Sequence, residues 1–269
     1  MIAVRPPAVA GTFYPGNAHQ LLTSIEGYTT IAAEKHSVLG VVSPHAGYLY
    51  SGRVAGELYS RITIPDTVVI IAPNHTGYGV PYSLWPGGPW QTPLGNVETN
   101  DEVVEELARS CDILEKDRDA HIGEHAAEVQ IPFLQHFNPL VKIVVLTVSS
   151  QNVLDLRYIG TSLSWVLQRL APQALVVASS DMTHYESQTD ANKKDKIAIN
   201  EILSLDEDTL YNKVNALGIT MCGICPAFIM LVCSKARGAK KAELVRYATS
   251  GDITGDYSSV VGYAGIIIS

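Results

Sequence analysis

The sequence predicts one α/β domain over residues 1–269, with a mostly parallel or mixed central sheet flanked by helices. Three observations carry the prediction. Short apolar runs of strand length recur at residues 38–42, 68–72 and 175–178. They are continuous rather than alternating, as strands covered on both faces are. Amphipathic patterns of helical period lie between them. Each run also ends in a turn with a histidine: Ser43-Pro44-His45, Pro73-Asn74-His75, and Ser179-Ser180-Asp181 with His184 close behind. Ligands gather beyond the carboxyl ends of strands in open α/β sheets, so three such endings predict one shared site.

Composition narrows the class. Hydrophobic residues make up 46% and charged residues 17%, enough for a substantial core and too apolar for disorder. The balance of 19 basic against 27 acidic residues, with no Lys/Arg cluster, disfavours nucleic acid and anionic membrane as partners. No apolar run approaches the ~20 residues a membrane span needs. The first residues lack the apolar core of a signal peptide. Cys111, Cys222, Cys225 and Cys233 are too few for a disulfide framework and read as free thiols, consistent with a cytoplasmic protein.

In chain order, residues 1–18 are rich in Pro and Gly and predict an irregular strap packed on the domain, with Phe13 or Tyr14 as the side chains able to cover a site. A short helix follows at 18–27. After His45, Ser51 is placed to cap a helix reaching about Ile62, with Val54, Leu58 and Ile62 on one face. Pro65-Asp66 turns into the second strand. A strand at 82–85 leads to a long loop at 86–95, where Trp90 is either a surface anchor or a pocket wall. Asn100-Asp101-Glu102 starts a helix with acidic residues where the helix dipole favours them, ending near Cys111. A helix is predicted over 124–137 from Ala127, Ile131 and Leu134, kinked at Pro132. A strand at 142–148, a helix at 155–170, and two helices over 190–217 come next, the second starting near Asp206. An apolar helix at 227–236 and closing strands at 244–249 and 258–268, joined by a turn-rich loop at 251–256, complete the chain.

His45 and His75 lead the candidates for chemistry. Imidazole suits iron, zinc, copper or nickel, and each ring needs an acceptor behind it to fix its tautomer. Asp181 admits two readings, a helix cap or a partner to a general base at His184. His121-Ile-Gly-Glu124-His125 fits the H-x-x-E-H pattern, in which two His bind zinc and Glu acts as base. Gly123 inside it argues against a continuous helix and places His121 in the loop before a helix starting at Glu124. Glu128, three residues after His125, would then pair with that imidazole. Cys222-Gly-Ile-Cys225-Pro lacks the flanking Trp of a thioredoxin site and the second C-x-x-C of a zinc ribbon. It leaves a thiol near a helix amino end, with a lowered pKa and able to ligate metal. Cys111 and Cys233 read as core residues.

Ala10-Gly-Thr-Phe-Tyr-Pro15, Pro44-His-Ala-Gly-Tyr48, Ala72-Pro-Asn-His75, Glu124-His125 with Glu128 and Pro132, Ser179-Ser-Asp-x-x-His184 and Cys222-Gly-x-x-Pro226 occur in this order. As a set they resemble the Memo family, called AmmeMemoRadiSam system protein B in prokaryotes. Memo proteins are similar in fold to the class III, LigB-type extradiol dioxygenases, which cleave catechol rings with non-haem Fe(II). The resemblance implies a metal site of His45, His75 and Cys222 holding Fe(II), with Cu or Zn as the other candidates. Cys222 departs from the dioxygenases, which carry a Glu there, and a thiolate changes metal preference. The resemblance also implies an acid/base role for His184, with Asp181 and His125 lining the same pocket. Cys225 stands where the animal protein carries a His, so its role does not carry over. The family name implies AMMECR-type and radical SAM proteins as partners. The function so implied is that of a metal-binding redox enzyme with dioxygenase-like activity on a small molecule. The alternatives are a zinc hydrolase using His121, Glu124 and His125, and a non-catalytic adaptor or metal carrier.

Overall fold

The computed structural model describes residues 4–30 and 34–269. Residues 1–3 of the expected N-terminal strap lie outside them. The described residues form strands β1 (Gly40–Ser43), β2 (Thr67–Pro73), β3 (Tyr82–Leu84), β4 (Trp90–Thr92), β5 (Gly95–Val97), β6 (Glu115–Lys116), β7 (Lys142–Val148), β8 (Leu175–Ser179), β9 (His184–Glu186), β10 (Ala242–Thr249) and β11 (Val260–Ile268). Nine of them make one sheet in the order β10-β11-β1-β8-β2-β7-β3-β6, with β9 paired to β11. The centre, β1-β8-β2-β7, is parallel. Strand β11 adds antiparallel to β1, and β3 antiparallel to β7, so the sheet is mixed. This is the predicted class, a single-domain α/β fold.

Side chains alternate across a strand, and here both faces are covered. Val42, Val69, Ile71, Val144, Leu146, Val176 and Ala178 face one core. Val41, Val68, Ile70, Ile143, Val145, Leu175 and Val177 face the other. The first core lies under the helices Asp101–Ser110, Val153–Leu170, Gln188–Leu203, Glu207–Ala216 and Ile224–Ala236. The second lies under Ala18–Tyr28, Tyr48–Ser60 and Ile131–Phe137. Two-sided burial explains why the central strands are continuous apolar runs.

Several local expectations are corrected. The helix after β1 starts at Tyr48 behind Gly47, and Ser51 lies inside it, donating to the carbonyl of Ala46 at 2.8 Å. The expected loop at 86–95 contains most of the β4–β5 hairpin. Trp90 in β4 is neither surface anchor nor pocket wall: it is buried beneath the guanidinium of Arg5, 4.0 Å from its ring centre. The expected helix over 124–137 is reduced to a 3-10 turn, Glu128–Gln130, running into the helix Ile131–Phe137. Pro132 falls in that helix's first turn, where a missing N–H costs nothing, so no kink arises. His121 sits in a helical turn of its own, Asp119–Ile122, rather than in a loop. The apolar helix starts at Ile224, ahead of Ala227, and part of the loop at 251–256 is the short helix Gly251–Thr254. The helices expected to start at Asn100 and near Asp206 do so, and those two side chains cap them by accepting from the N–H groups of Val103 and Thr209.

Candidate metal centre

Strands β1, β8 and β2 are parallel neighbours, so their carboxyl ends open onto one edge. His45 follows β1, His75 follows β2, and Ser179-Ser180-Asp181 closes β8 between them. The segment before Ile131–Phe137 adds His125. Ligating atoms of His45, His75 and His125 all lie within 4.8 Å of one another. Their ring centres are 5.1 Å apart for His45 and His75, 5.5 Å for His45 and His125, and 4.7 Å for His75 and His125. The His45 side chain is 2% exposed, against 34% for His75 and 22% for His125, so the cluster opens to solvent on the latter side.

Hydrogen bonds fix which nitrogen is free in two of the rings, His45 and His75. The Ser179 hydroxyl donates to the carbonyl of Ala126 at 2.6 Å. Its lone pairs therefore take the Gln130 amide N–H at 2.8 Å and the His45 Nδ1–H at 2.9 Å. Gln130 is itself held, donating to the carbonyl of Pro44 at 2.9 Å and accepting from the Tyr59 hydroxyl at 2.9 Å. His45 thus carries its proton on Nδ1 and keeps the Nε2 lone pair. Burial, reinforced by the neighbouring histidines, holds its pKa well below the ordinary value, which keeps that lone pair available.

Glu124 performs the same service for His75. One carboxylate oxygen accepts from His75 Nδ1 at 3.0 Å and the other from the His75 backbone N–H at 2.6 Å. The first oxygen also takes the Ala126 N–H at 2.9 Å and lies 3.2 Å from His125 Nδ1. Burial opposes the charge on Glu124, but its bonds to His75 outweigh this and hold the carboxyl below its ordinary range. The same pair raises His75 although burial pulls the other way. His125, with burial the leading cause, is lowered. Sequence reading gave Glu124 the part of a hydrolytic base. In the fold it is the acceptor behind His75, with the His125 ring beside the same oxygen.

Cys222 Sγ lies 3.2 Å from His45 Nε2 and accepts the Asp181 N–H at 3.3 Å. Burial, followed by the charge of Asp181, pushes its thiol up, which corrects the expected lowering at a helix amino end. A thiol so placed gives up its proton only to a strong positive partner, which a metal ion is. Cys225 turns into the core and is pushed up to about 12 by burial. Cys111 and Cys233 are buried as expected, and all four thiols are free.

Asp181 caps no helix. Its Oδ1 accepts the N–H groups of His45 at 2.8 Å and Ala46 at 3.3 Å, tying the β8 turn to the His45 turn. Its Oδ2 stands 4.0 Å from His45 Nε2, and burial raises its pKa. His184 opens β9. Its Nδ1 is 2.9 Å from the carbonyl of Thr220, which can only accept. The neutral ring therefore bears hydrogen on Nδ1 and a basic Nε2. Tyr185, next in sequence, is held in the left-handed region at φ 59°.

His121 is separated from the cluster. Its two nitrogens meet the hydroxyls of Ser83 at 2.8 Å and Thr147 at 3.1 Å, and it is wholly buried. The H-x-x-E-H motif is therefore not assembled as a zinc site. Glu128 also departs from expectation: its carboxylate takes Arg5 at 2.5 Å, not His125. Sequence reading gave no role to Gln130 or Arg5 and placed Ser179 only in the turn after its strand, because their polar side chains meet partners remote in the chain.

The donor set suits a transition metal. Three imidazoles converge, lone pairs are free by tautomer at His45 and His75, and a soft sulfur lies alongside. Among the described residues no helix is long and apolar enough to cross a membrane.

Comparison with known proteins agrees with this architecture. A crystal structure of an uncharacterized protein from Escherichia coli K12 superposes with a TM-score of 0.57, covering 86% of this chain and 99% of that one at 13% identity, a likeness of fold. A MEMO1 family protein of Methanocaldococcus jannaschii is 43% identical over the full length of both chains. One from Methanothermobacter thermautotrophicus is 40% identical over 97% of this chain and 99% of its own. The family model described as Memo-like protein matches residues 5–267. With a match running from the Arg5 strap to Ile267 in β11, and His45, His75, Glu124, His125, Asp181, His184 and Cys222 all inside it, the chain belongs to the Memo-like protein family.

Proposed function

We propose that the protein is a non-haem metalloprotein, with iron as its metal, that performs redox chemistry of the dioxygenase type on a small acidic or phenolic substrate. One observation carries the reading: His45, His75 and His125 converge with acceptors already in place behind His45 and His75. His45, His75 and Cys222 are the proposed ligands, with His125 close enough to join them. Copper and zinc are accommodated by the same donors. The preference for iron rests on the resemblance to the extradiol dioxygenases. When bound, the metal would supply Lewis acidity and electron transfer at the open side of the cluster.

The rest falls to the chain's own side chains. His184 presents a basic Nε2, fixed by Thr220, and is the proposed base for an acidic substrate proton. Asp181 holds the His45 turn in register through two backbone N–H groups. The shielded side of His45 keeps water from one half of the cluster, so substrate approaches past His75 and His125. Four free thiols support a reducing, cytoplasmic setting. AMMECR-type and radical SAM proteins remain the proposed partners, on the family resemblance alone.

Elemental analysis of anaerobically purified protein tests the reading, alongside His45→Ala and Cys222→Ala. Near-stoichiometric iron lost in both variants supports it. Zinc surviving both substitutions refutes it and moves the metal elsewhere. Oxygen uptake by the iron-loaded protein with catechols tests the ring-cleaving version, which no uptake with any catechol would eliminate.

A further inference from the structure

The segment that carries Glu124 and His125 has little regular structure of its own. One helical turn, Asp119–Ile122, precedes it and one 3-10 turn, Glu128–Gln130, follows. Its carbonyls need partners, and the N-terminal strap supplies them. Arg5, wholly buried, donates through Nε and one terminal nitrogen to the carbonyl of His121 at 3.0 and 2.8 Å. The same terminal nitrogen reaches the carbonyl of Glu124 at 2.6 Å. The other meets Glu128 Oε2 at 2.5 Å. Glu128 in turn accepts the N–H groups of Ala8 at 2.7 Å and Val9 at 3.0 Å, and the Tyr14 hydroxyl at 2.7 Å.

The strap then touches the cluster from two sides. The Phe13 ring lies 4.8 Å, centre to centre, from the His125 imidazole. The Phe13 carbonyl accepts the N–H of Tyr48 at 2.8 Å, three residues past His45. One ten-residue stretch thereby joins the His45 turn to the His125 segment. A planar guanidinium suits this task, because its fixed fork serves two carbonyls and a carboxylate at once, which an ammonium does not.

We propose that residues 5–14 are a working part of the metal centre, in which Arg5 and Phe13 are positioning residues that set the His125 imidazole against His45 and His75. The inference rests on the metal-centre reading and assigns to the strap the placement of one of its imidazoles. Groups that orient a metal's ligands change affinity by about 10- to 100-fold when removed.

The test titrates the metal-free full-length protein with Co(II). Phe13→Ala and the charge-neutral pair Arg5→Met with Glu128→Gln are each made with and without His125→Ala. Both strap variants are expected to weaken Co(II) binding about tenfold or more. Their visible absorption should move toward that of His125→Ala, and adding the strap changes to His125→Ala should cost nothing further. The same loss in both backgrounds, or undiminished binding in a folded strap variant, overturns the proposal. Phe13→Ala removes no buried charge and carries the test if the paired variant does not fold. Co(II) binding unaffected by His45→Ala would refute the metal-centre reading alone. The strap is then decided by the ring-nitrogen resonances of His125. A shift on changing Arg5 and Glu128 supports it, and unchanged resonances overturn it.

Discussion

Glu124 takes both the ring and the backbone N–H of His75, and that double use predicts a specific failure. Glu124→Gln keeps the shape but replaces one accepting oxygen with an NH2, so that with the remaining oxygen kept toward His75 Nδ1 the amide meets the His75 backbone N–H donor against donor. Metal affinity should fall by roughly 10- to 100-fold with little loss of fold, measured by competition with a coloured chelator; undiminished affinity would take Glu124 out of the site. His121 supports a second residue-level prediction, this one about pH. Burial first, and then the charge of Arg5, lower its pKa from 6.5 to about 3. Above about pH 6.5 the ring is neutral folded or unfolded and costs nothing. As pH falls the unfolded chain takes the proton first, so stability is lost progressively toward pH 3. The loss amounts to something on the order of 4–5 kcal/mol when complete. His45 and His125 push in the same direction, so the comparison must be with His121→Asn. Urea midpoints of that variant should fall less steeply between pH 6.5 and 4; parallel slopes would refute the assignment. His45 and His75 were legible in sequence because each follows an apolar strand directly. Arg5 and Ser179 were not, because their partners Glu128 and His45 lie 123 and 134 residues away.

Among the elements, what was legible was periodicity, and what was lost was context. The buried strands announced themselves because cores on both faces demand unbroken apolar runs. The spacing of Ala127, Ile131 and Leu134 also fits a helix, yet the chain spends residues 124–127 turning His125 toward the cluster. Helical carbonyl bonding there yields to Arg5, and only Ile131–Phe137 remains α-helical. Cys222 was misjudged for a related reason. A helix amino end lowers a thiol pKa where solvent reaches it, whereas here burial and Asp181 dominate. The turn that carries Cys222 depends on its neighbour. A Cβ on Gly223 would collide with the Ser180 side chain and the carbonyl of Ser179, neither free to retreat. Gly223→Ala should therefore push the Cys222 turn away from His45, at a cost of roughly 1–3 kcal/mol. In the cobalt-loaded protein the near-ultraviolet band from sulfur to metal should weaken with it. A variant with an unaltered melting temperature and an unaltered band would show that this approach is not close.

At the scale of the whole molecule, the site exists only when the sheet does. Its imidazoles come from the end of β1, the end of β2 and the segment before Ile131–Phe137, and Cys222 follows after a further stretch of chain. What brings the first two together is strand order: β8 is inserted between β1 and β2, so Asp181 and Ser179 arrive between His45 and His75. Strand endings in the sequence pointed to a shared edge, but adjacency is set by long-range pairing that no local pattern encodes. An unfolded chain cannot hold these donors at 4.8 Å, so metal binding should appear as folding free energy. With free metal at about 100 times its dissociation constant, the folded state should gain about 2.7 kcal/mol. Urea denaturation with and without metal would show it as a shift in midpoint at constant slope, reversed by a chelator. His45→Ala should erase most of the increment, because that ring's free nitrogen faces Cys222 at the shielded end of the cluster. An increment of the same size in His45→Ala would mean that the metal is held elsewhere. An increment with a changed slope would mean that it also reshapes the unfolded chain, where two or three donors close in sequence, such as His121, Glu124 and His125, would be the ones to bind it.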